Sequence, residues 1–94
     1  MIQAVNKDRL LCKAVKYNMD MGATKEKAVL DTEYLVRASR SVDISKEDKT
    51  LIHMGNNVYT SGNTGFNNAC RECIEELADD TDLSNYIVLK ELKA

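Results

Sequence analysis

The sequence contains no proline and no tryptophan, a single phenylalanine and a single histidine, and aromatic residues make up only 5% of it. A core built without tryptophan and with one phenylalanine must be aliphatic, assembled from Leu, Val, Ile, Ala and the four methionines. The absence of proline, beside abundant Ala, Leu, Lys and Glu, favours helices over sheets. No long apolar run occurs, which argues against a membrane span, and the N-terminus alternates polar with apolar residues and lacks the continuous core of a signal peptide. Charged residues at 30% and apolar residues at 44% describe a soluble globular chain rather than a disordered one. Three cysteines, an odd number without a secretion signal, point to free thiols in a reducing compartment, the cytoplasm.

Ninety-four residues suit one domain, spanning 1–94, with a modest core. The net charge of −2 is unevenly spread: residues 1–40 carry eight Lys/Arg and five Asp/Glu, residues 41–94 five and ten. Such halves neutralise one another within a fold or across an oligomer.

The stretch Asn63–Asp82 organises the reading. It opens as a Gly/Asn loop and continues as an amphipathic helix on which Phe66, Cys70, Cys73, Ile74 and Leu77 share one stripe, with Glu72, Glu75 and Glu76 outside it. Ile2–Met21 reads as a first helix that is apolar over most of its girth and stops at Gly22. Thr24 caps a second helix with Glu26 in its first turn and Arg37 and Arg40 in its last, and Leu30 and Tyr34 form a separate apolar strip along it. The two helices form an antiparallel hairpin. Ser39–Ile44 reads as a connection, Ser45–Asp48 as a capping arrangement for a short helix over Lys46–Met54, and Asn85–Lys93 as a last helix. The expected fold is an all-α bundle of four to five short helices. The alternative is α+β, with Val58–Thr60 and Thr64–Phe66 as a small hairpin and the β-rich Tyr86–Leu89 as a strand.

Cys70-Arg-Glu-Cys73 is a C-x-x-C, but both sulfurs lie on the apolar stripe and read as core. Cys12 and His53 complete the donors for a Cys₃His zinc site, a weak pattern with two remote partners, so no metal or other cofactor is expected. Asp80–Glu91 imitates a calcium loop but departs from it at Asn85 and Val88. Lys13, Lys16, Lys25 and Lys27 sit in an acidic chain without stacking aromatics, which argues against nucleic acid. No catalytic constellation can be assembled, and the chain reads as no enzyme.

Two functions remain. The first is a small freestanding interaction protein, of regulator or inhibitor type, acting as a homo-oligomer, most simply a dimer. Its partner-facing surface is an acidic patch at the end of the fourth helix: Glu75, Glu76, Asp79, Asp80 and Asp82, with Arg9, Lys13 or Lys16 of a second subunit as one source of answering cations. The second is a protein that binds a small anionic ligand or nucleotide on backbone N–H groups of Gly62, Asn63, Thr64 and Gly65, with Asn67 (also the expected helix cap), Asn68 and Lys of the basic half as supporting groups.

Overall fold

The computed structural model describes residues 1–44 and 49–90. The chain runs β1 (Ile2–Asn6), α1 (Lys7–Asp20), α2 (Lys25–Ala38), β2 (Ser41–Ile44), β3 (Thr50–Met54), β4 (Asn57–Ser61), α3 (Thr64–Glu72), β5 (Ile74–Leu77) and β6 (Tyr86–Leu89). The expected all-α helical bundle is therefore wrong. Among the described residues there are three helices and one six-stranded mixed sheet, an α+β fold. The strands lie in the order β4-β3-β2-β6-β1-β5. Every neighbouring pair is antiparallel except β2 and β6.

Cross-strand partners share a face of a sheet. Val5 pairs with Ile87, and Val42 pairs with both Leu89 and Ile52, so these side chains line one face. Leu10 and Ala14 of α1, Val36 of α2 and Phe66, Ala69 and Cys70 of α3 pack on it as one buried cluster. The opposite face carries Ala4, Ser41, Asp43, His53 and Val88, and none of the three helices covers it.

The departures from expectation have local causes. The first helix begins only at Lys7, because the Asn6 side chain accepts hydrogen bonds from the N–H groups of Asp8 and Arg9 at 3.0 and 3.1 Å. Ile2–Asn6 is then free to enter the sheet, where Val5 is fully buried between Ile87 and Ile74. The helical hairpin forms as expected. Gly22 takes φ 99°, and the Thr24 hydroxyl accepts from Lys27 N–H at 3.3 Å.

Ser41–Ile44, expected as a connection, is β2. Where a short helix was expected over Lys46–Met54, Thr50–Met54 is β3, with the β-branched Thr50 and Ile52 buried on the helical side. The Ser45–Asp48 capping arrangement lies outside the described residues. Gly55, expected to stop that helix, has φ 63° at the first position of a two-residue loop, the place where a type II′ hairpin requires glycine. β4 accordingly pairs back onto β3, not forward onto Thr64–Phe66, which open α3.

The amphipathic stripe splits as well. α3 ends at Glu72, and Ile74–Leu77 forms β5 against β1, so Ile74 pairs with Val5 and Leu77 with Ile2. The expected last helix is β6 over Tyr86–Leu89, and its end at 91–94 lies outside the described residues.

The three helices meet at Asn18. This α1 residue is buried, and its side-chain N–H donates to the Thr32 hydroxyl of α2 at 3.2 Å. Its carbonyl oxygen faces Gly65 of α3, where a Cβ would stand 2.6 Å from that oxygen and 3.0 Å from Tyr17 Cβ. Gly65→Ala therefore forces α3 away from α1. Overpacking of about 1–3 kcal/mol exceeds the helix-propensity gain of about 1 kcal/mol. We expect a net loss of roughly 1–2 kcal/mol in denaturant unfolding. Gly62→Ala, with no atom within 4 Å of its Cβ, should shift stability by no more than about 0.5 kcal/mol. A Gly65→Ala protein as stable as the parent would remove Asn18 as the helix junction.

Candidate functional site

The acids expected to face a partner follow α3 rather than ending it. Glu75 and Glu76 lie on β5, Asp79 and Asp80 are exposed in the connection to β6, and Asp82 accepts a hydrogen bond from Ser84 N–H at 3.0 Å. They do not oppose a helix dipole, since α3 has already stopped at Glu72. Cations of the same chain answer two of these acids, and also Glu72 at the end of α3. Arg9 pairs with Glu75, the N-terminal ammonium lies 3.5 Å from Asp79, and Lys13 Nζ lies 2.9 Å from Glu72. The Tyr17 hydroxyl also donates to Glu72 at 2.5 Å, and together the two donors hold its carboxyl below the usual carboxylate value.

The residues expected to cradle an anion are dispersed in role. Asn63, not Asn67, caps α3, its side-chain oxygen accepting from Phe66 N–H at 2.9 Å. Asn67 is buried inside α3 and donates to the Ser61 carbonyl at 3.4 Å. Gly65 is the close approach to α1. Thr64 is exposed and Asn68 half-buried on the same helix. Gly62 and Asn63 alone line a groove of about 270 Å³, together with Tyr34, Leu35, Ile52, Met54, Tyr59 and their neighbours. No Lys or Arg lines it among the described residues, so an anion would meet no opposing charge there.

The donors considered for zinc do not converge. Cys70 and Cys73 are buried on the helical side of the sheet, Cys12 is exposed on α1, and His53 stands on the opposite face. Among the described residues no group of three His, Cys, Asp or Glu is placed to hold a metal ion. His53 Nε2 instead lies 2.7 Å from Asp43 Oδ2, a diagonal cross-strand pair in which the carboxylate is nine-tenths buried. Of the residues imitating a calcium loop, Asp80, Asp82 and Ser84 lie in the connection between β5 and β6, and Tyr86–Leu89 is strand.

What the structure does gather is apolar surface at one end of the sheet. Leu30 and Tyr34 of α2 are 69% and 66% exposed, and Val58 and Tyr59 of β4 are 54% and 51% exposed. Tyr34 of α2 and Tyr59 of β4 both line the groove, with Leu35, Ile52 and Met54 as its other apolar lining. Leu30 lies one turn from Tyr34, beside Glu33 and Arg37, which form an ion pair at 2.6 Å. β4 is also an edge strand. A two-residue loop between Met54 and Asn57 makes that pair the hydrogen-bonded one, so alternate residues Val58 and Thr60 turn their N–H and C=O groups to the free side.

The other edge, β5, carries Glu75 and Glu76, the kind of charge that keeps an edge from pairing. β4 has none. No charged residue occurs from Met54 to Cys70, in a chain that is otherwise 30% charged. That uncharged run is the sequence signal for this edge, beside the Leu30–Tyr34 strip.

No protein-family model, curated protein or solved structure matches the chain. Among the described residues, no helix is long and apolar enough to cross a membrane.

The thiols give a direct check of the core. Burial pushes the Cys70 thiol up from 9.0 to about 12, and burial also raises Cys73. The native chain should expose one rapidly reacting thiol, Cys12, to a disulfide reagent, and all three after unfolding. Because the folded value of Cys70 is raised, its contribution to stability is complete below pH 9 and declines as pH climbs toward 12. Fast modification of Cys70 or Cys73 in the native state would contradict this packing.

Proposed function

We propose that the chain is a non-catalytic interaction protein whose working surface is the α2–β4 end of the molecule. The observation that carries this reading is an apolar groove lined by the exposed Tyr34 and Tyr59, with the exposed Leu30 one turn along α2 and Val58 on the other face of the same uncharged edge strand. Contiguous apolar surface of this kind marks association sites in soluble proteins. Tyrosine suits the task because it brings large apolar area with few rotatable bonds and a hydroxyl that tolerates water. Three free cysteines are in keeping with work in a reducing compartment such as the cytoplasm.

This reading keeps the interaction role and moves it away from the acids. Glu75 and Asp79 already have cationic partners in the chain, and exposed charges of the β5–β6 region contribute chiefly to encounter rates. It also displaces the small-anion alternative, because the groove reached by Gly62 and Asn63 has an apolar lining.

Leu30→Lys with Tyr34→Lys tests the surface. Both side chains are mostly in solvent, so the melting temperature should stay close to that of the parent. Association with a second copy or with an identified partner should weaken by about two orders of magnitude, as expected when two apolar anchors are lost. An unchanged association constant would remove the α2–β4 end as the working surface.

A further inference from the structure

Taking the α2–β4 end as the interaction surface, we infer that its occupant is a second copy of this chain, joined by antiparallel pairing of β4 with β4 about a two-fold axis at Tyr59. The inference rests on the reading above and names the partner. Three features of the surface fit one symmetry operation.

The first is hydrogen bonding. Only Val58 and Thr60 of β4 point backbone groups away from β3. Antiparallel pairing centred on Tyr59 sets Val58 of one copy opposite Thr60 of the other, twice over. Each of those pairs exchanges both of its bonds, so the register makes about four backbone hydrogen bonds. The six-stranded sheet then continues across the axis without a break.

The second is side-chain pairing. Tyr59 meets its own copy in a non-hydrogen-bonded pair, where side chains approach more closely, on the helical side of the sheet. On the other face Val58 meets Thr60, both β-branched. No charge is brought to the seam, because none lies between Met54 and Cys70. Pairing at the opposite edge would set the glutamates of β5 against those of its copy.

The third is the helical layer. An axis perpendicular to the sheet makes the two α2 helices antiparallel neighbours above the strand seam. Leu30 and Tyr34, left in solvent by the monomer, then face their copies and add apolar area to a strand pair that falls short of the roughly 800 Å² per partner of a stable interface. Glu33 and Arg37 on the same strip lie four residues apart with opposite charges. Antiparallel helices bring the acid of one copy toward the base of the other, so the strip is self-complementary.

A charge swap at the axis residue tests the pairing. Tyr59 is half exposed, so Tyr59→Lys and Tyr59→Glu should both fold, as checked by circular dichroism. The parent should sediment as a dimer. Each variant alone sets like charges opposite one another and should dissociate about tenfold more readily, and an equimolar mixture should regain a heterodimer. A parent that stays monomeric at its highest soluble concentration overturns the second copy. If Tyr59→Lys and Tyr59→Glu then abolish binding of some other partner, the surface reading survives without it. A parent dimer that ignores both Tyr59 variants but is broken by Leu30→Lys with Tyr34→Lys overturns the strand seam and leaves the surface in place. A dimer indifferent to all of these variants overturns both.

Discussion

The fold depends on how closely α3 can approach α1. At Gly65 the backbone of α3 lies against the Asn18 side chain and Tyr17 Cβ of α1, with no room for a Cβ. Asn18 is at the same time the polar link from α1 to Thr32 of α2, so one buried amide joins all three helices. With α3 held in that place, Phe66, Ala69 and Cys70 reach the sheet and complete the core over Val5, Val42, Ile52 and Ile87. The start of α3 is then tied to the end of β4. Asn67 donates to the Ser61 carbonyl, and Asn63, capping the helix, donates its backbone N–H to the Ser61 hydroxyl at 3.2 Å. The helical junction therefore sets where β4 lies, although β4 is the outermost strand.

Anchoring a strand by its end does not occupy its edge. A single layer of helices covers one face of a sheet and leaves two edges to be managed. Here they are managed differently. β5 pairs with β1, carries two glutamates and is braced by Arg9 across to Glu75. β4 has neither charge nor proline, and the α2 residues beside it are among the most exposed large apolar side chains in the molecule. A protein that left such an edge open would invite unregulated pairing, and the second copy proposed at that edge would prevent it.

Parts of this were legible in the sequence and parts were not, for physical reasons. The α1–α2 hairpin could be read because its determinants are local: Gly22, the Thr24 cap and the Glu26–Arg37 polarity act within a few residues. The burial of Phe66, Cys70 and Cys73 could be read for the same reason. The strands could not. Ile2–Asn6 and Ile74–Leu77 fit a helical wheel as well as a strand, and only their pairing with each other, some seventy residues apart, decides. β3 was hidden by its length, since five residues with two buried β-branched side chains resemble a short helix before a glycine. Asn63 and Asn67 exchanged roles because either can cap, and choosing between them requires knowing that Ser61 lies below. At the candidate site, the Leu30–Tyr34 strip was visible as surplus apolar surface, but its neighbour β4 became a candidate only once it stood at the edge of a sheet.

The central claim is that this edge is covered in solution. Amide hydrogen exchange read residue by residue along β4 tests it most directly. Tyr59 N–H, bonded to β3, should be protected at every protein concentration and serves as the internal reference. Val58 and Thr60 N–H, which face away from β3, should be protected when the chain is concentrated and exchange freely on dilution. Free exchange at Val58 and Thr60 at all concentrations, and with any added partner, would contradict the account.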